Sequence, residues 1–262
     1  MTILITNDDG YKSRGLVILY RAAKKIFGDD IAVVVPDRLQ SSTGMSFTFH
    51  KPLRLERLKY DGMPCLAISG TPADCAFMAL NHLFYKKITL VLSGVNNGMN
   101  VGLDAIYSSG TISAAMFAAI YKVPSIAFSK HISNESPNGN GAKDLDSVSQ
   151  KLLFMLKKIK KNGFPPNVEL LNINFPKKVT ADTEIKVVKP DRGVFQDLVD
   201  VKKDPHGREY YWLYGTLRKD LDKEGDIATL LGGGITVTPI GLSAYDAERF
   251  ANVRAIFHDT KS

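Results

Sequence analysis

Cysteine is scarce: Cys65 and Cys75 are the only two in 262 residues. Two thiols make no disulfide framework. They are not spaced as a zinc site, and no histidine or cysteine cluster accompanies them. They read as two reduced, partly buried thiols. Long apolar runs are also missing. No stretch approaches the roughly 20 apolar residues that span a bilayer. The opening Met-Thr-Ile-Leu-Ile-Thr lacks the basic start and longer apolar stretch of a signal peptide. A cytoplasmic protein with no membrane partner is the expectation. Neither a Gly-x-x-x-x-Gly-Lys-Ser/Thr phosphate loop nor a Gly-x-Gly-x-x-Gly dinucleotide fingerprint is present, which weakens NTPase and dehydrogenase readings. The five histidines, His50, His82, His131, His206 and His258, form no cluster and no triad pattern. Only His50 and His131 lie in loops that could reach a site.

What is present is ordinary for a globular chain: 44% hydrophobic and 23% charged residues, enough for one large α/β domain or one domain with an arm. The net charge is +7, but the basic pairs are scattered and read as solvated faces. A mild positive field favours small anions such as phosphates, and no nucleic acid is required.

Apolar runs at 3–5, 31–35, 88–92, 125–128 and 170–175 alternate with helical patterns at 16–27, 72–85, 111–121 and 143–161. Runs that are continuous rather than alternating suit strands buried on both faces of a parallel sheet. The pattern predicts a doubly wound α/β core over 1–175. Residues 45–69 read as an excursion or hairpin over the sheet edge, and 133–141 as a loop. Thr71, Pro72 and Asp74 have the chemistry of a helix start. The remainder, 176–262, reads as a β-rich extension with strands near 184–188, 210–217 and 235–237 and a terminal helix over 243–257.

Three polar clusters follow three of the strands: Asn7-Asp8-Asp9-Gly10, Ser41-Ser42-Thr43-Gly44 and Gly94-Val95-Asn96-Asn97-Gly98. Ligands of open parallel sheets bind beyond the carboxyl ends of the strands. If these strands are parallel and adjacent, the clusters meet in one crevice. The adjacent carboxylates of Asp8 and Asp9 repel each other and need a cation or water. Asp8, Asp9, Ser41 and Asn96 form the hard-oxygen set that Mg²⁺ or Mn²⁺ takes. Asn-Asp-Asp-Gly is equally good turn chemistry. Ser108-Ser109-Gly110-Thr111 opens a helix, where free N–H groups suit a phosphate, and ordinary N-capping explains it as well.

Taken together, these motifs resemble the SurE family of metal-dependent phosphatases. The resemblance runs through Ile3-Leu4-Ile5-Thr6-Asn7-Asp8-Asp9-Gly10, Pro36-Asp37 to Ser41-Ser42-Thr43-Gly44, and Gly70-Thr71-Pro72-Ala73-Asp74-Cys75. It continues through Ser93-Gly94-Val95-Asn96, Ser109-Gly110-Thr111 and Thr236-Val237-Thr238-Pro239. It implies a Rossmann-like three-layer α/β/α core with a mostly parallel sheet. It implies hydrolysis of nucleoside 5′-monophosphates, and of 3′-monophosphates, at one divalent ion, Mg²⁺ or Mn²⁺, per subunit. Asp8, Asp9, Ser41 and Asn96 would hold the ion, with Asp8 and Asp9 catalytic. Asn7, Gly44, Asn100, Ser109, Gly110 and Thr111 would contact phosphate or substrate. A C-terminal extension exchanged in a homodimer or homotetramer is also implied, and Tyr210-Tyr211-Trp212 falls in it. The sequence departs from the family pattern at Asn97, Met99 and the extra Ser108. Two rivals stand beside this reading: a non-enzymatic nucleotide-sensing module, and a Mn²⁺-dependent nucleotide-sugar transferase.

Overall fold

The computed structural model describes residues 2–132, 145, 147–243 and 246–257. In chain order, β1 (Thr2–Thr6), α1 (Arg14–Phe27) and β2 (Ile31–Pro36) precede a hairpin of β3 (Leu55–Tyr60) and β4 (Met63–Ile68). Then come α2 (Pro72–Met78) with a π-helical turn at Ala79–Leu83, β5 (Ile88–Asn97), α3 (Gly102–Ser108), α4 (Gly110–Ile120) and β6 (Ser125–Lys130). The chain continues through α5 (Ser149–Asn162), β7 (Leu170–Phe175), β8 (Ile185–Val187), β9 (Phe195–Lys203) and β10 (Glu209–Leu217). It closes with α6 (Asp226–Leu231), β11 (Ile235–Ile240) and α7 (Ala247–Phe257).

Nine strands form one sheet in the order β3-β4-β2-β1-β5-β6-β7-β11-β8. From β4 to β7 all neighbours are parallel; β3 against β4 and β11 against β7 are antiparallel. The expected parallel core is therefore present, with helices on both faces. Ile3, Ile5, Leu92, Ile126 and Phe128 pack towards α1 and α5. Leu4, Val34 and Val91 pack towards α2 and α4. Burying each such side chain contributes about 1.5–3 kcal/mol, which is why the runs carry no alternation.

α1 begins two residues before the predicted 16. It can do so because Gly15 has no side chain: a Cβ there would sit 1.9 Å from the Val95 carbonyl oxygen. The helix ends at Gly28, as predicted, in a left-handed conformation with φ 88°. α2 starts with the expected cap. Thr71 Oγ1 accepts from the Asp74 N–H, and the Asp74 carboxylate accepts from the Thr71 N–H.

Four features differ from the sequence reading. The 45–69 excursion does contain a hairpin, but β4 pairs in parallel with β2 and widens the main sheet. The Gly/Asn-rich segment after 92 stays in β5 as far as Asn97, through a cis Gly94–Val95 peptide, and then forms α3. Residue 175 does not end the sheet: β11 and β8 complete its far edge. β10 has an unpredicted partner in β9. The predicted 133–141 loop, the start of the helix predicted at 143, residues 244 and 245 and His258 lie outside the described residues.

β9 and β10 form a separate two-stranded hairpin in which every residue of β10 is exposed. Tyr211, Leu213 and Leu217 share one face with Val201, Val199 and Phe195, an apolar face open to solvent. At its base the Arg218 N–H donates to the Val194 carbonyl at 3.1 Å. Among the described residues no single helix is long and apolar enough to cross a membrane. Cys65 and Cys75 are free and buried, and burial pushes both thiols up, Cys65 to about 11.

Candidate active site

The β1 strand delivers two acids to the carboxyl edge of the sheet. The Asn7 side chain shapes their turn: its Nδ2 donates to the Gly10 carbonyl at 3.0 Å, and its Oδ1 accepts from the Gly10 N–H at 3.2 Å. This local closure is Asx-turn chemistry. Asn7 is fully buried, so its place is beneath the acids.

Asp8 is 5% exposed and faces the start of α4. The Thr111 hydroxyl donates to Asp8 Oδ1, and the Thr111 backbone N–H donates to the same carboxylate. Thr111, expected at the phosphate, is thus bonded to Asp8 in this structure. Close approach requires Gly110: a Cβ there would lie 2.8 Å from Asp8 Cβ and 3.0 Å from Pro72 Cγ. Burial, then the charge of Asp9, pushes the Asp8 carboxyl up to about 6 against the pull of the Thr111 bonds.

Asp9 accepts from the Asn97 backbone N–H and the Ser13 hydroxyl, while burial pushes its carboxyl up. Its Oδ2 is buried without a hydrogen-bond partner among the described residues. An orphaned carboxylate oxygen beside a second buried acid fits a cation in the crevice. Asn96 adds to that fit. Its Nδ2 donates to the Gly98 carbonyl at 3.0 Å, which leaves Oδ1 as the atom that could take a cation. The β2 loop arrives at the same place: the Gln40 N–H donates to the Asp8 carbonyl at 2.8 Å, and Ser41, exposed, comes next. The donor set is all hard oxygen. Among the described residues no group of three or more His, Cys, Asp or Glu is placed to hold a metal.

The helix start divides its duties. Ser109 Oγ accepts from the Ile112 N–H at 3.3 Å, so it caps α4. Gly44 is tied nearby, its N–H donating to the Ser108 carbonyl at 2.9 Å. Asn100, expected at substrate, is buried and donates its Nδ2 to Ser129 Oγ at 2.8 Å. Asn172 and Asn174, which the sequence reading passed over, hold the Asn100 backbone. Their signal was present: two asparagines at alternate positions of an otherwise apolar buried run. Lys130, fully buried at the end of β6, donates from Nζ to the carbonyls of His131 and Pro176. His50 is exposed and His131 half-buried.

Asp8-Asp9, the Ser41 loop, Asn96 and the Gly110 helix start therefore converge as their strand ends required. The family model described as Survival protein SurE matches residues 3–197. The chain belongs to the SurE family. A protein of Methanococcoides burtonii named 5′-nucleotidase SurE is 37% identical over 255 residues, covering 96% of this chain and 97% of that one. The protein of the same name from Thermofilum pendens is 39% identical over 257 residues, covering 97% and 96%. The crystal structure of SurE from Aquifex aeolicus superposes with a TM-score of 0.81 at 31% identity, covering 98% of this chain and all (100%) of that one. The SurE fold and this chain's three-layer fold are thus the same.

Proposed function

We propose that this SurE-family chain is a metal-dependent 5′-nucleotidase that also accepts 3′-monophosphates. Asp9 Oδ2, buried without a partner beside Asp8, carries the reading. Relatives named 5′-nucleotidase that match almost end to end support the substrate class. Asp8, Asp9, Ser41 and Asn96 hold one Mg²⁺ or Mn²⁺. Bound there, the ion supplies Lewis acidity toward a phosphoryl oxygen and charge neutralisation for the acid pair.

The chain's own groups do the rest. Thr111 fixes the rotamer of Asp8 with two hydrogen bonds. Gly110 leaves room for the acid and opens the positive end of α4 toward an anionic group. Gly44 and Ser109 hold the rim. A water oxygen displaces the nucleoside oxygen on phosphorus, and the P–O ester bond breaks. The attacking water gives up a proton and the leaving nucleoside oxygen takes one up, so the products are nucleoside and phosphate.

The exposed apolar face of the β9–β10 hairpin supports self-association. An isolated two-stranded hairpin is marginal in water, so Tyr211, Leu213 and Leu217 pack against a second copy in a homodimer or homotetramer. No observation favours the sensing module or the sugar transferase.

The test is phosphate release from nucleoside 5′- and 3′-monophosphates with Mg²⁺, Mn²⁺ or EDTA, beside Asp8→Asn. Metal-dependent release that falls about 10³-fold in the variant is expected. Full activity in Asp8→Asn, or no release from any nucleotide, overturns the proposal.

A further inference from the structure

β7 runs Leu170-Leu171-Asn172-Ile173-Asn174-Phe175, and all six residues are buried. Leu171, Ile173 and Phe175 face α1 and α5 in the core. Leu170 packs on the α4 side, and Asn172 and Asn174 alternate onto that side too. Two primary amides are buried there, which is costly unless each is hydrogen-bonded.

Their partners explain the choice. Asn174 Oδ1 accepts from the Asn100 N–H at 2.7 Å, and Asn174 Nδ2 donates to the Asn100 carbonyl at 3.0 Å. Asn172 Nδ2 donates to the same carbonyl at 2.7 Å. The 3.3 Å bond from Asn174 Nδ2 to Asn172 Oδ1 locks the two side chains together. A primary amide offers a donor and an acceptor side by side, as a peptide group does. Asn174 therefore pairs with the Asn100 backbone as a neighbouring strand would. Aspartate lacks the donor, and serine lacks the reach.

The residue being held lies one turn from the acids. The Asn97 N–H donates to Asp9, the Gly98 N–H to the Lys130 carbonyl at 3.0 Å, and the Gly102 N–H to the buried Asp226 Oδ2 at 2.9 Å. The register also sets Asn96 beside Ser129, Ser129 beside Asn174 and Asn174 beside Thr236. One polar row thus crosses four strands from the candidate metal ligand to the far side of the sheet.

We propose that Asn172 and Asn174 are positioning residues for the active site. By clamping the Asn100 peptide they hold the segment from Asn96 to Asn100 in the geometry that presents Asn96 Oδ1 and the Asn97 N–H to the acid pair. The inference rests on the nucleotidase reading for its catalytic consequence.

The experiment compares wild type, Asn174→Ala, Asn172→Ala and Thr238→Val. The last removes a buried hydroxyl that lacks a hydrogen-bond partner in the same layer and serves as the packing control. Three quantities are measured: amide hydrogen exchange over 96–102, Mn²⁺ affinity by calorimetry, and kcat against KM for phosphate release. Asn174→Ala is expected to exchange about 10-fold faster over 96–102. Its Mn²⁺ affinity and kcat should each fall about 10- to 100-fold, the range for groups that orient metal ligands. Asn172→Ala shows the same pattern more weakly, because Asn174 Nδ2 still serves the Asn100 carbonyl. It carries the test if Asn174→Ala does not fold. Thr238→Val matches wild type in all three. Wild-type exchange over 96–102, or unchanged Mn²⁺ affinity and kcat in a folded Asn174→Ala, overturns the inference. A wild type that binds Mn²⁺ but releases no phosphate sinks the nucleotidase reading instead, and the first two measurements still decide whether the clamp positions the site.

Discussion

β7 buries two asparagines, and β10 leaves Tyr210, Tyr211, Trp212, Leu213 and Tyr214 in solvent. Each strand inverts the usual partition of polar and apolar residues, and the two inversions have different causes. In β7 every amide hydrogen bond has a partner inside the same chain, so the polar groups are matched to an internal target. In β10 the apolar face has no target among the described residues, and it is the face through which self-association is proposed. The buried polar residues are matched by hydrogen bonds to Asn100, and the exposed apolar ones await the proposed second copy.

The largest expected effect that sharpens this contrast concerns Asp8. Its unfolded carboxyl titrates near 3.8, and its folded one near 6. Between those values only the folded chain holds the proton. Stability is therefore highest below about 4 and falls as pH rises to about 6, by about 3 kcal/mol in all. Thermal midpoints of the metal-free protein should show that decline. Asp8→Asn should flatten it and leave the protein more stable at pH 7 in EDTA. A variant with the wild-type slope would remove Asp8 as its source.

The outward inversion comes next. Tyr211→Asp with Leu213→Asp places two charges on the apolar face of the hairpin. Sedimentation should show dissociation to the monomer, each position costing about 2 kcal/mol of association, with the core melting unchanged. A wild type that is already monomeric breaks the comparison, because β10 would then be exposed without a partner.

The smallest effect belongs to a polar group that serves nothing. Thr238 Oγ1 is buried without a partner. Thr238→Val should therefore stabilise by about 1 kcal/mol, or about 2 °C in the melting midpoint. A loss of stability would mean that this hydroxyl, like the asparagines, has a target.

Much of this architecture was legible from residue types alone. Continuous apolar runs identified β1, β2, β5, β6 and β7, because burial on both faces leaves no room for alternation. The polar clusters after β1, β2 and β5 met as expected, since parallel neighbours share a carboxyl edge. The helix start at Thr71 was readable because capping is local chemistry. What escaped depended on long-range pairing. β9 carries Asp197, Asp200, Lys202 and Lys203 and declares itself only once β10 lies beside it. Strand β11 joins the sheet from the far end of the chain, a pairing that sequence order does not announce. Thr111 and Asn100 were assigned outward roles that their spacing allowed. Their inward partners, Asp8 and the β7 asparagines, are 103 and 72–74 residues away.

The base of the hairpin has one more consequence. The 3.1 Å bond between Arg218 and Val194 brings the two ends of the excursion together before either strand begins. Everything from Phe195 to Leu217 is therefore a cassette on a closed hinge point. Its length can change without reopening the sheet, since a change between two ends already held together costs little loop entropy.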